Sequence, residues 1–217
     1  MCFRRNAAAS ETSAGLLVTG GVNGYSTLTG YNILNSTLLF TTTWQDFTES
    51  PVATYDHCQV TVGDTVYIVG GDTGRQDYSD VIGDTYKLTS SNQWSKLSSL
   101  NIPRDFHACV EWDGGILAIG GWRYGGLSSV EWYNIVSNKW FAFTQIPVEL
   151  YGHQAVVWEG DLYLLGGLSG NGGDNNKVVY KLKKGSQTWE VVPGVSLDLT
   201  RYRPIFPAVI TDNIHCN

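Results

Sequence analysis

One pattern is written three times in this chain and in part a fourth. From Asp105 to Trp122 the sequence reads as an apolar strand, an Asp-Gly-Gly turn, and a second apolar strand that ends in a double glycine. The same order runs from His57 to Gly71 and from His153 to Gly167, with identical spacing from His to the first glycine (57 to 70, 107 to 120, 153 to 166). The pairs are Gly70-Gly71, Gly120-Gly121 and Gly166-Gly167. A further pair, Gly20-Gly21, ends Leu16–Thr19. A fixed period of this kind decides the architecture before any local reading does, because each unit is one supersecondary piece that needs its neighbours to cover it.

Each glycine pair is followed by a loop, a strand with a tyrosine, and a strand with a tryptophan. The tyrosines are Tyr31, Tyr86, Tyr133 and Tyr180, and the tryptophans are Trp44, Trp94, Trp140 and Trp189. Double glycine, spaced Tyr and spaced Trp together resemble the kelch repeat. That resemblance implies an all-β fold of four-stranded blades arranged as a β-propeller, with a period of about 50 residues. A blade cannot bury both faces alone. Stacked between neighbours it can, and Tyr and Trp then supply large apolar area between sheets.

The units run over 16–44, 54–94, 104–140 and 150–189, with a partial unit at 203–217 in which Arg203 falls in register with Arg104 and Phe206 replaces the histidine. Counted by the same offset, Ala7 stands where His107 does and Arg4 where Arg104 does. Residues 1–15 read as a poorly ordered segment that holds, at Ala7–Ser10, a worn first strand, since Ala and Ser are poor strand formers. The first blade's remaining strands are expected at Leu16–Thr19, Gly30–Leu34 and Leu38–Trp44. About four blades result, with the carboxy-terminal strand Phe206–Thr211 able to pair beside Leu16–Gly20. A small closed ring and an arc of a larger propeller both fit, and an arc would leave faces open to self-association.

Composition narrows the function. The chain has 217 residues, 42% of them hydrophobic and 16% charged, and a net charge of −6. An acidic chain without clustered Lys and Arg is not built to neutralise nucleic-acid phosphates. No apolar run reaches membrane-spanning length. Met1–Ser10 has basic residues without a following apolar stretch and does not read as an export signal, which favours a cytoplasmic location unless residues precede it. The four cysteines show no CxxC spacing. Cys58 and Cys109 lie on apolar strands and read as small buried hydrophobes, while Cys2 and Cys216 are the pair that propeller termini would bring near each other.

Catalytic and metal signals are weak. His57, His107 and His153 share one repeat position, but rotational equivalence does not make ligands converge on one ion. Asp72, Asp77, Asp80 and Asp84 lack the order of a calcium loop. Gly166–Gly173 contains no phosphate-binding motif, and no GxSxG is present. Nor does any residue set match the copper oxidases of kelch-like fold. No cofactor is expected, and the reading is non-catalytic. In BTB-kelch adaptors, which the chain resembles only in its repeats, partner peptides are held at one end of the propeller. The resemblance implies matching positions at Arg104 and Arg203 before first strands, Arg123 and Tyr124 after a glycine pair, and Tyr151 and Arg75 in comparable loops, with Arg104 equally placed to brace its blade. A protein or peptide partner is therefore expected, with an axial pocket for a small molecule or sugar, or a fragment of a larger kelch protein, as the alternatives.

Overall fold

In the computed structural model, residues 4–26, 30–74, 80–170 and 174–197 are described. They form four antiparallel four-stranded sheets. Blade 1 opens with β1 (Ala8–Thr12) and β2 (Gly15–Thr19). The hairpin β3 (Val22–Ser26) and β4 (Gly30–Ile33) is inserted next, and β5 (Thr37–Phe40) and β6 (Trp44–Phe47) complete the blade. Blade 2 is β7 (Cys58–Val62), β8 (Thr65–Val69), β9 (Thr85–Leu88) and β10 (Trp94–Leu97). Blade 3 is β11 (Ala108–Trp112), β12 (Gly115–Ile119), β13 (Val130–Asn134) and β14 (Lys139–Phe143). A short β15 (Leu150–Tyr151) leads into β16 (Gln154–Trp158) and β17 (Asp161–Leu165). After β18 (Leu168–Ser169) and β19 (Asp174–Asn175), blade 4 ends with β20 (Tyr180–Leu182) and β21 (Trp189–Val191). There is no helix among the described residues, and so none long and apolar enough to cross a membrane.

The alternation of strand side chains explains why the second strands are apolar throughout. In β12, Ile116 and Ala118 join Val60, Tyr67 and Val69 of blade 2, while Leu117 and Ile119 join Leu162 and Leu164 of blade 4. Both faces of the strand are covered, so both parities must be apolar. Full burial of each of the leucines and isoleucines stabilises by about 1.5–3 kcal/mol. The tryptophans point one blade back. Trp94 Nε1 donates to Thr48 O at 3.2 Å, and Trp140 Nε1 to Ser98 O at 3.0 Å. Trp44 is 41% exposed and rests on Phe40, because no blade lies before blade 1 among the described residues. Strand β1 packs on β7, β7 on β11 and β11 on β16; β16 and β1 share no such approach. The four blades thus form an arc.

At the axis the blades are joined by backbone. Asp56 N donates to Asn6 O (3.1 Å), Phe106 N to Asp56 O (2.9 Å) and Gly152 N to Phe106 O (2.8 Å). All four of these residues are left-handed, with φ of 57° at Asn6, 52° at Asp56, 49° at Phe106 and 61° at Gly152. The second glycine of each pair then donates outward to the next blade: Gly21 N to Thr54 O, Gly71 N to Arg104 O and Gly121 N to Leu150 O, at 2.8, 2.9 and 2.8 Å.

Four expectations need correction. The worn first strand expected at Ala7–Ser10 is present as Ala8–Thr12 and pairs with Gly15–Thr19 over five residue pairs, so residues 8–12 are not the poorly ordered segment expected; neighbour packing outweighs the low strand propensity of alanine. Strand β1 therefore holds the flank of β2 that the sequence reading assigns to Phe206–Thr211, which lies outside the described residues. Gly30–Leu34 does not supply the third strand of blade 1. That strand is β5, and Tyr31 belongs to the inserted hairpin. Finally, Cys58 and Cys109 are joined as a disulfide, with Cα atoms 5.8 Å apart. It staples blades 2 and 3 at the axis, where their first strands lie side by side. Cys2 and Cys216 lie outside the described residues.

Candidate functional site

The end of the arc that carries the glycine pairs holds the exposed Tyr31 and Tyr124 and two arginines set against tyrosine rings. The residue after each pair lies beside the residue two before the histidine of the same blade: Val22 by Arg5, Asp72 by Tyr55, Trp122 by Asp105, and Leu168 by Tyr151. These short pairings fix the loops at one end. Two of the inserted loops lean on the following blade. Tyr31 of blade 1 stands 6.1 Å, ring to ring, from Tyr55 of blade 2. Trp122 of blade 3 meets Tyr151 of blade 4 edge to face at 4.8 Å.

Two arginines are set against this aromatic surface. The Arg5 guanidinium lies 5.1 Å from the Tyr31 ring centre, and that of Arg123 lies 5.1 Å from Tyr124. Arg123 Nη1 also donates to Val81 O of blade 2 at 2.9 Å. Tyr124 is 68% exposed and Tyr31 44%. The Tyr55 hydroxyl donates to Asp72 Oδ2 at 3.1 Å, and burial, with Asp72 beside it, pushes its pKa up, so it remains a neutral donor. The arrangement offers flat apolar area with polar tips, plus cations whose guanidinium edges suit carboxylates.

Of the six binding candidates, Arg123, Tyr124 and Tyr151 come together here. Arg75 and Arg203 lie outside the described residues. Arg104 has no exposed surface at all. Its guanidinium donates to Gly120 O, Ser129 O and Ser129 Oγ and pairs with Glu131 at 2.8 Å. A partner cannot reach it, so of the two roles open to it the structure has the bracing one. Arg4 repeats the device in blade 1, donating to Gly20 O and Ser36 O. Sequence reasoning misses Arg5, Tyr55 and Trp122 as members of this surface, and misreads Tyr31. Their signal is positional, two residues before the histidine or just after the glycine pair.

The four first strands also line an axial cleft of about 660 Å³. Among its polar lining side chains, Ser10, Gln59 and Thr61 are tied into one network, while Glu11, Glu111 and Gln154 also face it. Gln59 Nε2 donates to Ser10 Oγ and Leu17 O, Thr61 Oγ1 to Ser10 Oγ, and Thr19 Oγ1 to Gln59 Oε1. The acidic loop is likewise occupied at its described positions. Asp72 accepts from Tyr55 and Gly74 N, and Asp84 pairs with Lys96 at 2.8 Å.

The three histidines are buried between blades. His57 Nε2 meets Thr19 Oγ1 at 2.8 Å. The residue before the glycine pair is Val69 in blade 2 and Ile119 in blade 3, and among the described residues neither His107 nor His153 has a hydrogen-bond partner on either ring nitrogen. Burial holds His57 down to about 4 and His153 to about 3, and lowers His107 strongly. The unfolded chain titrates near the ordinary value of 6.5, so it takes up protons first as pH falls. The stability contributed by neutral burial is present in full above pH 6.5 and is lost downward through that value. At pH 5 the loss is about 2 kcal/mol for each of His57 and His153. Thermal melts at pH 7 and pH 5 should differ accordingly, and His57→Gln should shrink the difference; a flat profile would remove the histidines from the account.

Residues 103–142 match one kelch motif and residues 149–196 match a second. No curated protein shows significant similarity to the chain.

Proposed function

The chain belongs to the kelch-repeat family, whose repeats commonly serve as protein-interaction modules, and from that premise we propose that its glycine-end surface binds a protein or peptide partner. The observation that carries the reading is the grouping of Tyr31, Tyr55, Trp122, Tyr124 and Tyr151 with Arg5 and Arg123 at one end of the arc. The opposite end is built of strand-joining turns; it exposes Phe40, Trp44 and Trp158, but the cations set over rings beyond the glycine end are lysines, Lys96 on Tyr86 and Lys181 on Tyr163. Exposed aromatics beside arginines form the residue set that dominates interface energies, since they bring large rigid area and bidentate donors. The rings are already placed by neighbouring loops, so less conformational freedom is lost on binding.

Random peptides displayed on phage and selected on the purified chain supply a probe. Tyr124→Ala should weaken selected peptides by about tenfold or more, which corresponds to about 1.4 kcal/mol, and should leave the melting temperature unchanged because the side chain is exposed. Tyr31→Ala should act in the same direction. Val136→Asp, in a turn at the other end and 97% exposed, should have no effect. Peptides that bind all three variants equally would place the interaction elsewhere.

A further inference from the structure

The Cys58–Cys109 disulfide does not stand alone. The Nδ1 or Nε2 of His107 and the two sulfurs all lie within 4.8 Å of one another. His107 is 7% exposed, and both of its ring nitrogens lack a hydrogen-bond partner among the described residues. A buried imidazole without a partner is destabilising unless something else occupies its nitrogens. Its repeat equivalent His57 has Thr19 for this purpose; at His107 the corresponding position is Val69, so the sulfurs are the polarisable groups left beside the ring.

Two thiolates and one imidazole form a donor set suited to a soft or borderline d10 cation. Around tetrahedral zinc, with Zn–S near 2.3 Å, neighbouring ligand atoms stand about 3.7 Å apart. The cluster needs only a small adjustment of side chains, chiefly the separation of the two sulfurs once they are no longer bonded. The cleft borders the cluster, since Cys58, His107 and Cys109 are among its lining residues, so an ion has an entry path and a fourth position open to water. Disulfides persist in oxidising compartments, and the same pair would be free thiols in a reducing one.

We propose that Cys58, Cys109 and His107 form a zinc site that exists when the two cysteines are reduced and is abolished when they are joined. In the laboratory a phosphine reductant effects the change. It takes the oxygen of one water to become the phosphine oxide, and the two hydrogens of that water end on the two sulfurs. Binding of Zn2+ then releases both thiol protons to solvent. Reoxidation by a small-molecule disulfide removes two electrons from the thiolates, closes the bond between Cys58 and Cys109, expels the ion, and releases the oxidant as two thiolates, which take two protons from solvent to become thiols.

The test uses the full chain with Cys2→Ser and Cys216→Ser, so that no other cysteine contributes. After reduction and anaerobic removal of the phosphine, Co2+ serves as the spectroscopic probe and Zn2+ as its competitor. The expected result is one Co2+ per chain with thiolate-to-cobalt charge-transfer absorption, displaced by Zn2+, and a melting temperature raised by Zn2+ in the reduced chain but not in the oxidised one. Cys109→Ser should abolish the thiolate band. His107→Gln should weaken binding by more than about tenfold, and if that variant does not fold, Cys58→Ser decides in its place. The absence of stoichiometric binding to the reduced chain, equal binding by the oxidised chain, or binding indifferent to these substitutions would each overturn the proposal.

Discussion

Gly120→Ala is expected to lower the melting temperature by about 10 °C or more, or to prevent folding. Two effects act together. Gly120 has φ of 57°, a conformation that is unfavourable by about 1–2 kcal/mol for any residue with a Cβ. That Cβ would also collide with the carbonyl oxygen of Leu150 and lie 2.9 Å from His153 Cε1, both in the next blade. The backbone cannot retreat, because Gly121 N is bonded to the same Leu150 carbonyl. The sum is a loss of about 4 kcal/mol or more, and at this chain length each kcal/mol shifts the melting point by about 2–4 °C. Gly114→Ala is the control. Its φ is 72°, but its Cβ would meet nothing within 4 Å, so only the conformational cost applies. Thermal denaturation of the two variants separates close blade approach from turn strain, and equal losses would mean that the glycine pairs are not where the blades meet.

Arg104→Ala is expected to cost about 3–5 kcal/mol, the range found when one partner of a buried ion pair is removed. Glu131 is 3% exposed and holds Asn101 N, Asn101 Nδ2 and Ile102 N as well as Arg104. Losing the guanidinium leaves that carboxylate buried without its counter-charge, and leaves the carbonyls of Gly120 and Ser129 without the donors they share. Arg104→Lys should recover little, because an ammonium cannot span two carbonyls, a hydroxyl and a carboxylate in one plane. Urea denaturation measures the loss directly. Binding of selected peptides at temperatures where the variant is folded should be unchanged. A stable Arg104→Ala variant with weakened binding would return this residue to the surface role and contradict its burial.

The blades are legible in the sequence because three different residues recur in register, and each is demanded by a separate contact. The glycines are required by carbonyls of the next blade, the histidines fill the space beside those glycines, and Trp94 and Trp140 reach one blade back. What is not legible comes from places where one contact replaced another. Strand β1 is legible only through register, as a worn strand at Ala7–Ser10, because it is written in Ala, Ser, Glu and Thr and its partners β2 and β7 hold it more firmly than its own propensities do. Tyr31 precedes Trp44 by more residues than Tyr86 precedes Trp94, a spacing that marks an insertion only once the hairpin is seen. Cys58 directly follows its histidine whereas Cys109 lies two residues after its own, so register gives no hint that they meet. They face each other across neighbouring first strands, a relation between blades that no spacing within a blade reveals. The surface residues are legible in kind, as Arg and Tyr in loops, but Arg104 shows that an arginine before a first strand serves the fold as readily as a partner.

The most direct test of the interaction surface is hydrogen exchange on the chain with and without a peptide selected on it. The predicted result is slowed exchange in the glycine-end segments, around Arg5, Tyr31, Tyr55, Trp122 to Tyr124 and Tyr151, with the turns of the other end unchanged. Protection confined to β1, β7, β11 and β16, the strands that line the axial cleft, would contradict the account and move the binding site to the axis.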